Sequence, residues 1–304
     1  MLWAIITLGG IGLFFSLMLG VFSKKFAVEI DPRIEQIAEL LPNANCGACG
    51  YAGCKDYAKA MVEQNVPCDL CPAVSEENAK KIAEILGVEV ELGERKVAVV
   101  RCGGTDDQAK IRFNYLGVED CRSAQLFQAG SGAKACPYGC LGLGSCVRAC
   151  PFNAIVIYKG VAVVNTDKCT GCGKCVEACP RGIIELVPKS ASRVVLCMSQ
   201  LKGAQTKKVC AVGCIGCGIC AKRSKEDAIV MEGNLPKVDY SAPEENFASA
   251  DICPQFTILD LKKYPQPILW LAQGREELKR KKEEKKKKQS EKKKAEKSSE
   301  GEAG

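Results

Sequence analysis

The chain has 304 residues, 21 cysteines and no histidine. Without histidine it cannot build a histidine-ligated haem, a Rieske centre, a mixed Cys/His zinc site or a Ser-His-Asp triad. The formal net charge is +7, but residues 275–304 carry 13 Lys/Arg and 8 Asp/Glu, against 30 and 28 in the rest of the chain. The body is therefore nearly neutral and has no electrostatic footprint for nucleic acid outside that terminal segment.

The cysteine content indicates either disulfides or metal binding. Disulfide scaffolds are usually short secreted chains, whereas this chain is long and its cysteines crowd into Cys-x2-Cys steps. The N-terminus also lacks the basic region and the small-residue cleavage site of a secretory signal. An isolated zinc ion accepts four thiolates but does not explain interlocking triplets that end in Cys-Pro. The pattern predicts iron–sulfur clusters, with a structural zinc protein as the alternative.

Residues 1–23 are predicted to form a transmembrane anchor. Residues 2–22 hold no charged side chain, and about 20 apolar residues span the hydrocarbon core as a helix. Lys24 and Lys25 follow at once, so the positive-inside rule keeps this end and the cysteine-rich body in the cytoplasm. A signal peptide would have a shorter apolar run with its basic residues in front.

Residues 31–90 are predicted to form a small helical domain that holds one cluster. Helices are expected over 31–41 and over 75–86. Asp31 is the predicted N-cap of the first, with Pro32 at the first helical position, and Ser75 is the predicted N-cap of the second. The cysteines between them are interleaved with glycines, which let backbone N–H groups point at sulfur. The predicted [4Fe–4S] ligands are Cys46, Cys49, Cys54 and Cys71, with Cys68 as a spare and zinc as the alternative metal.

Residues 96–190 are predicted to contain a strand at 96–101 and a two-cluster ferredoxin module with a hairpin turn at Lys159-Gly160. The regular motif Cys169-x2-Cys172-x2-Cys175-x3-Cys179-Pro180 is how bacterial ferredoxins hold clusters, and its fourth cysteine serves the other cluster. The less regular partner motif runs from Cys136 to Cys150. The crossover rule assigns one cluster to Cys136, Cys140, Cys146 and Cys179, and the other to Cys150, Cys169, Cys172 and Cys175.

Residues 191–260 are predicted to form a degenerate, single-cluster ferredoxin-like module. Aligning Ala228-Ile229 with Ala154-Ile155 places Ser224 where Cys150 stands, so a ligand for a second cluster is missing. The predicted ligands are Cys214, Cys217, Cys220 and Cys253. An internal repeat of roughly 75 residues also relates Cys102 to Cys197 and makes Cys102, Cys197 and Cys210 candidates for a fifth cluster. Cys121 receives no role.

Residues 275–304 are almost wholly Lys, Glu, Ser, Ala and Gly, a composition that predicts a disordered tail. A solubilising role is favoured over contact with anionic lipid. With the preceding segments, the chain is predicted to be an α+β protein in which one transmembrane helix carries a helical cluster domain and tandem ferredoxin-like modules.

The combined motifs resemble one family. After the apolar helix come NCGACGYAGC, CPYGCLGLGSCVRACPFNAI and CTGCGKCVEACPRGII, an arrangement similar to the B subunit of the Rnf complex, a membrane-bound, ion-translocating ferredoxin:NAD oxidoreductase, in its longer, cysteine-rich variety. The resemblance covers about residues 1–260. It implies an electron-relay subunit with other subunits of the complex and reduced ferredoxin as partners.

The chain has neither a strand followed by G-x-G-x-x-G nor a P-loop, so no flavin or NAD is expected on it. An uncharged single helix also offers no ion path, so ion movement is expected in partner subunits. The alternative of a different class is a membrane-tethered redox sensor or assembly scaffold that holds clusters without sustained turnover.

Overall fold

The computed structural model describes residues 2–25, 31–89, 93–127, 132–264, 266–277, 279–280 and 283–284. These residues form helices and short antiparallel strand pairs, in agreement with the predicted mixture of α and β structure. The helices are α1 (Leu2–Lys25), α2 (Pro32–Leu40), α3 (Cys54–Gln64), α4 (Glu76–Leu86), α5 (Cys121–Phe127), α6 (Ser145–Arg148), α7 (Lys174–Ala178), α8 (Gly203–Val209), α9 (Ile219–Arg223) and α10 (Pro267–Leu269). The strands are β1 (Lys96–Val100), β2 (Ile155–Tyr158), β3 (Val161–Val164), β4 (Ile184–Pro188), β5 (Arg193–Val195), β6 (Ile229–Glu232), β7 (Leu235–Val238) and β8 (Ile258–Asp260).

Helix α1 has the length and composition of a membrane span. Its segment Ile6–Lys25 has a mean hydropathy of 1.9, and none of it is buried against the described chain. Lys24 and Lys25 lie in its last turn. A soluble domain rarely leaves so much apolar surface uncovered, so this helix is a candidate anchor, as predicted.

Helices α2, α3 and α4 pack into a separate small core. Asp31 accepts a hydrogen bond from the N–H of Arg33, and Ser75 accepts one from Asn78, so both predicted N-caps are confirmed. Gly87 ends α4 in the left-handed conformation (φ 68°), which glycine adopts without strain. Helix α3 was not predicted, yet its Tyr57 is 1% exposed and lies at the centre of this core.

Two strand pairs join segments that are far apart in sequence. Strand β1 pairs with β4, from Lys96 opposite Pro188 to Val100 opposite Ile184. Strand β5 pairs with β8 in the same antiparallel sense. The predicted strand before Cys102 therefore lies against the strand that follows Cys179.

Two hairpins, β2–β3 and β6–β7, lie between the partners of those pairs. The predicted turn at Lys159-Gly160 is confirmed: both residues have positive φ, 43° and 71°, as a two-residue turn between twisted strands requires. The main core joins β1, β3, β4 and β8 to the chain after α10. Its most buried side chains, none more than 1% exposed, include Val97, Val99, Val161, Val187, Leu259 and Trp270.

The predicted start of the disordered tail at residue 275 is too early. Helix α10 continues through a π-helical turn, Trp270–Gly274, which returns the chain to the core. Arg275 is only 3% exposed, and its Nη1 donates a hydrogen bond of 2.7 Å to the carbonyl of Gly103. Tail residues 278, 281–282 and 285–304 lie outside the described residues.

Candidate cluster-binding sites

Four cysteines line a cavity beside α6 and α7, and we call them the α6 group: Cys121, Cys140, Cys146 and Cys179. The crossover rule predicts that Cys179 joins Cys140 and Cys146, and all three line this cavity. It places Cys136 there too, but Cys136 lines a different cavity. Cys121, which received no role from the sequence, occupies the fourth position around this cavity instead.

A hydrogen-bond network fixes Cys121 at the start of α5. The N–H of Cys121 donates to Ser145 Oγ (2.7 Å), and Ser145 Oγ donates to Asp120 Oδ1 (2.8 Å). Hydrogen bonds from Ser123 and Ser145 lower the pKa of Asp120 to about 2, so its carboxylate stays ionised as an acceptor at neutral pH. This network joins α5 to α6 and brings Cys121 next to Cys146.

The sequence does hold a signal for this substitution. When Cys140-x5-Cys146-x3-Cys150 is set against the regular motif, Leu143 stands where the second cysteine should be. A cluster with only three cysteines from this region needs a fourth thiolate from elsewhere. The predicted ligand set counts Cys136 as a member of this motif, and the motif then has four cysteines although Leu143 occupies the second position.

Another cavity is lined by the second crossover set, which we call the regular group: Cys150, Cys169, Cys172 and Cys175. This is the set that the spacing predicts. The N–H of Ala98 in β1 donates to Cys169 Sγ (3.3 Å), and the N–H of Ala154 donates to Cys150 Sγ (3.4 Å). Such N–H groups stabilise the negative charge of the thiolates and of the cluster that the thiolates would hold.

Cys136 belongs to a third cavity with three of the five cysteines left over by the predicted four-cluster scheme. We call this set the bridging group: Cys102, Cys136, Cys197 and Cys210. Cys102 follows β1 and Cys197 follows β5, while Cys210 follows α8. Two different strand pairs and one helix therefore position these thiols.

The predicted C-terminal group consists of Cys214, Cys217, Cys220 and Cys253. Burial, followed by the charges of neighbouring Cys214, Cys253 and Cys217, raises the pKa of Cys220 to about 11, so the four thiols lie close together. Ser224 stands where a second-cluster ligand would be. Its Oγ accepts a hydrogen bond from the N–H of Ala248 (3.0 Å) and donates one to the carbonyl of Cys220 (2.9 Å), which makes it a structural residue.

The predicted N-terminal group consists of Cys46, Cys49, Cys54 and Cys71. Burial, and after it the charges of Cys49 and Cys46, raises the pKa of the Cys71 thiol, which places Cys71 near Cys49 and Cys46. The pKa of Cys68 is raised by burial and by Asp69, with no contribution from another cysteine. Cys68 is 3% exposed within the core of α2–α4, as expected of a buried free thiol.

Each cysteine group lies beside the next. Burial and the charge of Cys46 in the N-terminal group raise the pKa of Cys172 in the regular group. Burial raises the pKa of Cys146 in the α6 group to about 12, with contributions from Cys121 and Cys179 of its own group and from Cys175 of the regular group. Two direct contacts continue the series: the N–H of Cys140 donates to Cys102 Sγ and the N–H of Cys214 donates to Cys197 Sγ, both at 3.3 Å. The order is N-terminal, regular, α6, bridging and C-terminal group.

The donor chemistry of these sites suits iron–sulfur clusters. Within the described ranges, no three His, Cys, Asp or Glu side chains are arranged to hold a single metal ion, and the cysteines of the α6, regular and bridging groups instead surround cavities. Burial raises the pKa of several of these thiols, for example Cys140 to about 12 and Cys175 to about 12. Because iron binds thiolates, cluster insertion releases these protons.

Cysteine groups around cavities, with ferredoxin spacing and backbone N–H groups aimed at sulfur, define an iron–sulfur protein. Two family models agree: a putative Fe-S cluster domain matches residues 41–73, and a 4Fe-4S binding domain matches residues 162–185. The first covers the N-terminal group, and the second covers the regular motif.

Curated relatives align with most of the chain. The B subunit of the proton-translocating ferredoxin:NAD(+) oxidoreductase complex of Clostridium ljungdahlii is 43% identical over 76% of this chain and 81% of its own length. The B subunit of the ion-translocating oxidoreductase complex of Methanosarcina acetivorans is 42% identical over 84% and 96%. The B subunit of the Na(+)-translocating ferredoxin:NAD(+) oxidoreductase complex of Acetobacterium woodii is 43% identical over 88% and 80%. The chain belongs to this family, the B subunits of the Rnf-type complexes, as its motifs predict.

Proposed function

We propose that the chain is the electron-relay subunit of a membrane-bound complex that couples electron transfer between ferredoxin and NAD to translocation of sodium ions or protons. The relatives carry that activity in their names. The chain itself contributes cysteine groups and an apolar helix. Its role is therefore to hold clusters in a fixed order between partner subunits, while other subunits handle NAD, flavin and the ion.

The observation that carries this proposal is the unbroken series of cysteine groups. A storage or scaffold protein needs sites, but it does not need each site to contact the next. Here direct contacts or electrostatic effects between cysteines link every neighbouring pair of groups. When bound, each [4Fe–4S] cluster accepts and releases one electron.

The proposed ligands follow the cavities for the regular and α6 groups and the sequence spacing for the N-terminal and C-terminal groups. Clusters would be held by the N-terminal group, the regular group, the α6 group and the C-terminal group. This assignment keeps the crossover between two motifs, because Cys150 joins the regular group and Cys179 joins the α6 group. It replaces Cys136 by Cys121. The repeated hairpins and strand pairs support two tandem ferredoxin-like modules, the second with one cluster.

A half-buried arginine helps the α6 group hold a negatively charged cluster. Arg181 lines the α6 cavity, and its Nη1 donates to the carbonyl of Pro137. Burial lowers the pKa of Arg181, and the nearby thiolates Cys136, Cys179, Cys140 and Cys121 oppose that shift. A guanidinium that lines the cavity favours the more negative, reduced state of a bound cluster. It therefore raises the reduction potential of that cluster.

The decisive experiment is anaerobic titration of the purified chain with reduced ferredoxin, followed by EPR. We expect reduction of the clusters at rates comparable to turnover of the complex. If ferredoxin fails to reduce any cluster at such rates, the chain is a sensor or scaffold and the relay proposal is wrong. Stoichiometric zinc without iron or sulfide would contradict the cluster assignment itself.

Deletion of residues 2–25 is expected to move the chain from the membrane to the soluble fraction when it is produced without the other subunits. The reason is that α1 supplies the exposed apolar surface, and the described body has no second candidate span. Iron content should not change, since α1 packs against none of the cysteine groups. A truncated chain that stays in carbonate-washed membranes would contradict the anchor.

The body is proposed to lie on the cytoplasmic side, because Lys24 and Lys25 follow the span. In inverted vesicles, added protease should cleave the body, whereas in right-side-out vesicles the body should be protected. Protection in inverted vesicles would reverse the orientation.

A further inference from the structure

The bridging group takes corresponding residues from two repeats. Residues in the second repeat lie 74 positions after their counterparts: Cys210 after Cys136, Cys214 after Cys140, Cys220 after Cys146 and Cys253 after Cys179. Cys102 and Cys197 correspond through their strands, since they follow β1 and β5 closely. Each repeat thus supplies one cysteine after a strand and the first cysteine of a Cys-x3-Cys step.

The contacts at the two halves of the site match as well. Cys102 Sγ accepts the N–H of Cys140, and Cys197 Sγ accepts the N–H of Cys214, both at 3.3 Å. Cys197 Sγ accepts a further N–H from Ser199 (3.4 Å). Sulfurs that receive N–H groups in this way are typical of cluster ligands, because these hydrogen bonds stabilise thiolate charge.

Two buried cations also lie at this site, and one of them, Arg275, has guanidinium nitrogens without a hydrogen-bond partner among the described residues. Lys134 is 5% exposed and lines the cavity. Its Nζ donates to the carbonyls of Gly104 (2.9 Å) and Gly160 (2.6 Å) and lies 3.7 Å from Asp106 Oδ1, so this cation is paired. Arg275 packs against Gly103, where an added Cβ would collide with its guanidinium. Its Nη1 donates to Gly103, whereas its buried Nε and Nη2 have no hydrogen-bond partner among the described residues.

A buried, half-satisfied guanidinium is costly unless a negative group lies nearby. Burial lowers the pKa of Arg275, and the charges of Cys210 and Cys102 oppose that change. Four thiolates that carry a cluster would supply the missing negative charge. Without a cluster, four thiols would surround the cavity and the Arg275 guanidinium would pack against its Gly103 wall with no evident benefit to the fold.

We propose that Cys102, Cys136, Cys197 and Cys210 hold a fifth [4Fe–4S] cluster at the junction of the two repeats, with Arg275 as the residue that tunes its potential. Five groups of four account for every cysteine except Cys68. This site lies between the α6 group and the C-terminal group, and its role as a relay centre, though not its existence, rests on the proposed function. The site itself can be tested without the relay activity.

The first test is iron and acid-labile sulfide counted on the anaerobically purified full-length chain. We expect about 20 irons and 20 sulfides, at four of each per [4Fe–4S] cluster. Cys210→Ala should lose one-fifth of both, and Cys68→Ala should lose none. A wild-type content of about 16 irons, or a Cys210→Ala variant that keeps the wild-type content, would overturn the inference.

A second test does not depend on removal of a ligand. In an EPR-monitored redox titration, Arg275→Gln should shift one cluster to a more negative potential, because the lost positive charge stabilised its reduced state. Arg275→Lys keeps the charge and should retain most of the wild-type potential. If every potential is unchanged in Arg275→Gln, the proposed tuning role is wrong. Four clusters that ferredoxin still reduces would overturn the fifth site but leave the proposed relay intact.

Discussion

Replacement of Cys146 by alanine is expected to remove one cluster and to lower ferredoxin-driven electron transfer through the complex by more than about 100-fold. Loss of a residue that only hydrogen-bonds to a metal ligand already lowers metal affinity or activity by about 10–100-fold. Cys146 is itself a proposed ligand, so its loss should cost more. The α6 group also sits third in the series, so no neighbouring group can replace it. Iron content and the NAD reduction rate of the reconstituted complex measure both effects.

Two cysteine variants give the matched comparison. Cys68→Ala removes a buried thiol that belongs to no group, so it should keep the wild-type iron content and rate. Cys121→Ala should resemble Cys146→Ala, since both line the same cavity. Cys136→Ala should leave the α6 cluster signal intact. If Cys136→Ala removed that signal and Cys121→Ala did not, the assignment from the sequence spacing would be right and the one from the cavity wrong.

Replacement of Trp270 by alanine is expected to destabilise the body by about 3–5 kcal/mol, the usual cost of truncating a large aromatic side chain in a core. Trp270 is 1% exposed and packs against Tyr264 with ring centroids 5.1 Å apart. For a domain of this size the loss corresponds to a thermal midpoint lower by roughly 6–20 °C. Calorimetry of the cluster-loaded chain measures it.

Leu269→Ala is the matched control, because the neighbouring Leu269 is 44% exposed and should change the midpoint little. Trp270→Phe should lower the thermal midpoint less than Trp270→Ala, since phenylalanine keeps most of the aromatic surface. The turn that holds Trp270 also carries Arg275 into the core. Trp270→Ala should therefore loosen the bridging group before the N-terminal group, and equal loss of all cluster signals would contradict this coupling.

Features that depend on neighbouring residues could be predicted from the sequence. The apolar run specified α1, and Asp31 and Ser75 specified where α2 and α4 begin. The regular Cys169–Cys179 spacing led to a ligand set that matches one cavity. Apart from Cys150, the residues that decide the outcome in each case belong to one continuous segment, so chain geometry alone restricts where their groups can point.

The sequence by itself thus determined the chemistry of this protein: thiolates without histidine, ferredoxin spacing and an apolar helix. Only the tertiary structure decided which thiolates share a cavity. Cys121 reaches the α6 group through the hydrogen bonds between α5 and α6, and Cys136 joins Cys102, Cys197 and Cys210 because two long-range strand pairs bring the repeats together. Contacts such as that between Arg275 and Gly103, which lie 172 positions apart, depend on the packing of whole elements, and spacing along the chain carries no record of that packing.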